Sequence, residues 1–173
     1  FDAQYFKPQG DALVDAGQPR EALEAYAEAL ALGDHEVVAG ATWGQAAAYE
    51  ALGDYEAAIQ AYTMSLDAQR DAKPFFERAQ AARALGLFGA ARGDYLKAAD
   101  LFVKDYKDKK RADIARAQAA FCAFESGDIK IAEKELGTLA RRLYSSDVGV
   151  AHAAVLYALD DTAAAEDAWQ AAC

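Results

Sequence analysis

Short strings recur along this chain at a nearly constant interval. Gly53-Asp54-Tyr55-Glu56-Ala57-Ala58 and Gly93-Asp94-Tyr95-Leu96-Lys97-Ala98 are alike, as are Gly17-Gln18-Pro19-Arg20-Glu21-Ala22 and Gly127-Asp128-Ile129-Lys130-Ile131-Ala132. Their glycines stand 36, 40 and 34 residues apart, and a decayed fifth copy centres on Asp160-Asp161-Thr162, 33 residues beyond Gly127. An interval of this size means one supersecondary unit that cannot bury its own apolar face and stacks on its neighbours. Each copy predicts a helix, a tight turn and a second helix. Glycine suits the left-handed residue that closes the first helix. The Asp that follows can cap the second by accepting from its free N–H groups. Pro8, Pro19 and Pro74 fall where helices are expected to begin. No strand-like alternation competes with this pattern.

The second helices share a small–large pair. Ala22, Ala58, Ala98, Ala132 and Ala165 stand five positions after each turn, and Tyr26, Tyr62, Phe102, Leu136 and Trp169 follow four residues later. A small side chain lets two helices approach closely, and a large one a turn away fills the gap between neighbours. This pattern, with its period near 34, resembles the tetratricopeptide repeat over essentially the whole chain. The resemblance implies an all-α, right-handed superhelical solenoid of about five helix–turn–helix repeats in a single domain over 1–173. The repeats are expected near 3–36, 39–72, 74–110, 113–146 and 147–173. Gly86 is also placed to close the first helix of the third repeat, with Ala91 and Tyr95 following. Gly93 is preferred because it repeats Gly-Asp-Tyr, and the helix beginning at Pro74 is then lengthened. The last repeat lacks a full closing helix. Trp169 is expected to pack on the fourth repeat, the alternative being an edge that another molecule covers.

Charge and composition narrow the function. The chain is 54% hydrophobic and carries a net charge of -10, which argues for a globular core and against nucleic acid or an anionic membrane surface as partner. No apolar run is long enough to span a bilayer. Cys122 and Cys173 make no metal spacing, and the absence of asparagine removes any N-glycosylation site. The chain starts at Phe1 rather than methionine, which is expected of a fragment or of a protein that has lost a targeting segment.

No phosphate loop, dinucleotide fingerprint, nucleophile elbow or paired-histidine zinc motif is present. His35 is expected in the solvated loop between the first two repeats, His152 on the first helix of the fifth, and Cys122 as a buried, inert thiol. Arg92-Gly93-Asp94 spells an integrin-binding tripeptide but is accounted for by the expected third turn. These readings predict a protein that is not an enzyme and needs no cofactor or metal.

In solenoids of this type the first helix of each repeat lines the concave face. The inward positions expected here are Lys7, Asp11 and Val14, then Trp43, Ala47 and Glu50, then Arg83, Leu87 and Ala90. Ala117, Phe121 and Phe124 follow, and then Val150, Ala154 and Tyr157. The candidate partner groove is drawn from these as Trp43, Glu50, Arg83, Leu87, Phe121, Phe124 and Tyr157, the alternative being that some are ordinary core. Exposed aromatics in such a surface act as anchors for a partner. A basic segment of Lys104, Lys107, Lys109, Lys110 and Arg111 joins the third and fourth repeats. It reads as a solvated loop, or else as a docking patch for an acidic partner or lipid headgroup.

Family members that clamp the acidic tails of chaperones use Lys and Asn in the groove. Lys7 matches, but Asp11 stands where Asn is needed, so the resemblance does not imply such a clamp. Residues 112–120, Arg141-Arg142-Leu143-Tyr144 and Ala165-Glu166-Asp167-Ala168-Trp169 are similar to plastid tetratricopeptide proteins, which assist membrane complexes, notably photosynthetic ones. That resemblance implies a scaffold or assembly subunit, peripheral to a membrane complex in the chloroplast stroma or lumen. Asp34-His35 and Pro74-Phe75 instead resemble the type III secretion chaperones for translocators, which implies a bacterial cytoplasmic protein holding an extended client segment.

Overall fold

The computed structural model describes residues 3–32, 35–143, 146–159 and 161–172, and excludes from that description the side chains of 3–6, 35, 36, 143, 146, 147, 150, 157 and 162. All regular structure among the described residues is helical. The first four helices are α1 (Ala3–Asp15), α2 (Pro19–Leu32), α3 (His35–Ala51) and α4 (Tyr55–Ala68). They are followed by α5 (Ala72–Ala84), α6 (Phe88–Lys104), α7 (Lys109–Glu125), α8 (Ile129–Leu143), α9 (Ser146–Ala158) and α10 (Thr162–Ala172). The helices α1 and α2, α3 and α4, α7 and α8, and α9 and α10 pack as successive pairs.

The turn chemistry follows the expected rules. Gly17, Gly53, Gly86 and Gly127 take φ of 73°, 75°, 73° and 89°, the left-handed region where a Cβ would be strained. At the second repeat the Gly53 N–H donates to the Glu50 carbonyl at 2.9 Å and the Asp54 N–H to that of Tyr49 at 2.9 Å, satisfying the last carbonyls of α3. The Asp54 carboxylate then accepts from the Ala57 N–H at 3.1 Å, capping α4. Asp71 and Asp108 cap α5 and α7 in the same manner.

Three local expectations are corrected. The third turn falls at Gly86, not Gly93. Gly93 lies inside α6, so the lengthened helix is α6 and the one holding Pro74 stops at Ala84. The reason is packing: with Gly86 as the turn, Ala91 (0% exposed) and Tyr95 (1%) take the small–large positions. Asp94 is therefore no cap but a buried residue pairing with Lys97 at 3.7 Å. Pro8 lies inside α1 rather than at its start, and His35 is the first residue of α3 rather than part of a loop.

A pair of opposite substitutions tests the third turn. A Cβ at Gly93 meets nothing within 4 Å, so Gly93→Ala is expected to raise stability by about 0.5–1 kcal/mol through helix propensity. Gly86→Ala places a side chain in the left-handed region and is expected to cost about 1–2 kcal/mol. Urea midpoints of the two variants check the signs, which would reverse if Gly93 formed the turn.

The helices divide into two compact units, residues 1–86 and 87–173. In the first, Tyr26 is buried among Ala22, Ala29, Ala41 and Ala48, and Tyr62 among Ala46, Ala58 and Ala61. Ser65, buried on α4, donates to the Ala39 carbonyl of α3 at 2.8 Å. In the second, Leu136 and Leu139 of α8 pack with Ala117, Ala120 and Ala123 of α7 and with Val148 and Val155 of α9. Asp113, nearly buried, pairs there with Arg116 at 3.0 Å and Arg142 at 2.8 Å. Trp169, expected to be packed, is 52% exposed on α10. No helix follows α10 among the described residues to cover it.

Candidate partner-binding site

Trp43 and Glu50 stand seven residues apart on α3, two turns along one face. Tyr62 is the large residue of α4. Its ring is wholly buried under the alanines, and its hydroxyl emerges beside that face. The Tyr62 hydroxyl donates to Glu50 Oε2 at 2.8 Å. From the neighbouring first helix, α5, Glu77 accepts from the Trp43 indole N–H. The Tyr62 hydroxyl also interacts with Glu77. Lys73 places its ammonium 5.9 Å from the Trp43 ring centroid. Two half-buried carboxylates, a phenol and an indole thus meet within one unit.

Burial holds both Glu50 and Glu77 above the ordinary glutamate value, because a desolvated carboxyl favours its neutral form. The hydrogen bonds from Tyr62 and Trp43 work in the opposite direction without cancelling it. Burial raises the Tyr62 phenol too, and the two carboxylates beside it add to the effect.

The pH consequence has a definite sign. A glutamate whose folded pKa is raised binds its proton more tightly in the folded chain, so its stabilising contribution is present in acid and lost as pH rises through the raised value. Glu77→Gln removes that titration. The variant is therefore expected to gain on the wild type in urea midpoint more at pH 8 than at pH 5. An equal difference at both pH values contradicts the burial of Glu77.

The first repeat offers a contrast. There the Tyr26 hydroxyl donates to Asp11 Oδ1 at 2.7 Å, and Asp11 Oδ2 pairs with Lys7 at 2.7 Å. The phenol–carboxylate motif is repeated, but only the first copy carries its own ion pair. Among the described residues neither Glu50 nor Glu77 forms one.

The other sequence-derived candidates are scattered. Arg83 lies half-buried near the end of α5. Leu87, expected on a first helix, is the residue preceding α6 and is 51% exposed, a consequence of the Gly86 turn. Phe121 packs against the core of the second unit, while Phe124 is 36% exposed. The side chains of Val150 and Tyr157 lie outside the described residues, as do Asp34, Tyr144, Asp160 and Cys173. Sequence reasoning placed Trp43 and Glu50 together but missed Glu77, Lys73 and the role of the Tyr62 hydroxyl. The signal for Glu77 was available: it lies 34 residues after Trp43, one repeat on.

The basic segment is less of a loop than expected. Lys104 ends α6, Lys109 and Lys110 open α7, and only 105–108 lie between. Lys107, at φ 55°, donates to the Lys104 carbonyl at 2.6 Å, and Arg111 pairs with Asp108 at 3.2 Å. Lys104, Lys107, Lys109, Lys110 and Arg111 are all exposed. Cys122 is buried. Among the described residues there is no group of three or more His, Cys, Asp or Glu placed to hold a metal, and no helix long and apolar enough to cross a membrane.

Comparisons with known proteins agree with the helix pairing. A family model described as tetratricopeptide repeat matches residues 8–74. Among solved structures, YrrB, described as a tetratricopeptide protein with an unusual peptide-binding site, superposes with a TM-score of 0.82 at 18% identity, covering 99% of this chain and 84% of its own. MamA from Desulfovibrio magneticus RS-1 gives a TM-score of 0.80 at 13% identity, covering 98% and 92%. BtubC from P. vanneervenii gives 0.77 at 20%, covering 94% and 75%. No curated protein matches the chain. Such repeat folds serve as frameworks for protein–protein interaction. The helix pairs, the four left-handed glycine turns, the family match over residues 8–74 and these likenesses together establish an all-α helical-repeat fold of the tetratricopeptide type.

Proposed function

We propose that this protein is a non-catalytic accessory or assembly subunit that holds a partner protein against the α3 and α5 face of its first unit. The observation that carries this reading is the Trp43–Glu50–Tyr62–Glu77 cluster. It gathers an aromatic anchor and half-buried carboxylates from α3 and α5 around the hydroxyl of Tyr62 from α4, the arrangement in which a partner side chain is desolvated and held. YrrB, a protein of similar fold whose description includes a peptide-binding site, supports the use of such a framework for peptide binding.

Affinity capture from the source extract tests the proposal. Trp43→Ala and, separately, Gln80→Arg on the exposed part of α5 are expected to release a captured partner, with helicity retained. Met64→Ala, on the 53% exposed Met64 of α4, is expected to keep it. Loss only with Met64→Ala, or retention in both α3 and α5 variants, would move the contact elsewhere.

A further inference from the structure

The Trp43–Glu50–Tyr62–Glu77 cluster is short of donors. Two carboxylates offer roughly eight acceptor positions, whereas the phenol and the indole bring one donor each. One phenol proton cannot serve Glu50 and Glu77 at the same time. In the first repeat the equivalent carboxylate is completed by Lys7, at 2.7 Å from Asp11. In the second repeat Lys73 is exposed with its ammonium 5.9 Å from the Trp43 ring centroid, attracting Glu77 through space without forming an ion pair with it. The face already presents an indole to a positive charge. The two carboxylates of the cluster form no ion pair among the described residues.

Charge is also unevenly divided. Residues 1–86 hold 14 Asp and Glu against 6 Lys and Arg, a net of -8, while residues 87–173 hold 14 against 12, a net of -2. Most of the chain's net charge of -10 therefore belongs to the unit that carries the cluster, through its fewer Lys and Arg. Long-range attraction of a basic partner is therefore directed to that unit.

We propose that the cluster takes a cationic side chain, arginine above all, from an extended basic segment of a partner protein. A guanidinium has five N–H donors in a planar fork, so it can donate to both carboxylates while its face lies on the indole. Lysine supplies the charge but not the fork. Burial, which holds both carboxyls above their ordinary range, is the cost that an incoming cation offsets. This assignment rests on the α3 and α5 face being the partner surface, and the test separates the two claims.

The probe is a library of random dodecapeptides displayed on phage, selected against the purified full chain. The expected result is a set of peptides sharing an arginine at one position. Replacing that arginine with citrulline, or changing the protein to E50Q/E77Q, is expected to weaken binding about tenfold or more. The control E56Q/D67N removes two exposed charges from α4 and is expected to change affinity less than about twofold. It thereby separates a specific contact from general acidity. Circular dichroism establishes that every variant is folded. Acidic or purely apolar peptides that depend on Trp43 overturn the cationic assignment but leave the surface in place. Peptides indifferent to both E50Q/E77Q and Trp43→Ala, or no selected peptide at all, overturn both.

Discussion

Tyr26→Ala is expected to lower stability by about 3–5 kcal/mol, as deletion of a buried aromatic ring does when the surroundings relax only in part. Tyr26 is 1% exposed and packs with alanines that cannot extend into the space it leaves. Its ring is closely approached by Gly10 on α1 and Gly44 on α3, so three helices meet on one side chain. The hydroxyl is a smaller matter. Tyr26→Phe loses the donor to Asp11, which keeps Lys7, and is expected to cost about 1 kcal/mol. At this chain length each kcal/mol corresponds to about 2–4 °C in melting temperature. Thermal unfolding of the two variants therefore separates ring from hydroxyl. A Tyr26→Ala loss no larger than that of Tyr26→Phe would mean that the ring is not the keystone of the first repeat.

Gly44→Ala reverses the usual rule for glycine in a helix. Propensity alone favours alanine by about 1 kcal/mol. Here the added Cβ would lie 2.2 Å from the Tyr26 ring, and Gly10 closes off retreat, since a Cβ there would lie 2.6 Å from the same ring. Overpacking of this kind costs about 1–3 kcal/mol, so Gly44→Ala is expected to destabilise in net. The sign should change in a Tyr26→Ala background, where the methyl enters an open cavity. A double-mutant cycle is expected to show strong coupling. Additive effects would contradict the three-helix contact.

How much of this was legible in the sequence depends on the range of the interaction concerned. Helix pairs and their small–large residues follow from local periodicity, and Ala22, Ala58, Ala132 and Leu136 are all fully buried as expected. The third turn was misplaced because two glycines offered the same local signal. Only packing of Ala91 and Tyr95 favours Gly86, and that depends on neighbouring helices rather than on the dipeptide itself. Trp169 was misplaced for a related reason. Its position in the pattern is right, but burial needs a further helix beyond α10, and none is among the described residues.

The candidate site was half legible. Trp43 and Glu50 share a helix face, so spacing alone unites them. Glu77 comes from the next repeat, and its bond to the Trp43 indole depends on how α3 and α5 stand against each other. Tyr62 was read as a packing residue, which its ring is. The hydroxyl became visible only once the depth of the ring was known.

Site-specific photocross-linking tests the central claim most directly, that the α3 and α5 face of the first unit is where a partner lies. A benzoylphenylalanine is placed at Gln80, exposed on α5 one turn beyond Glu77, or at Gln60, exposed on α4. Each protein is irradiated in the source extract. The account predicts one discrete protein adduct from position 80, diminished by Trp43→Ala, and none from position 60. An adduct from position 60 alone, or none from either position, would contradict it.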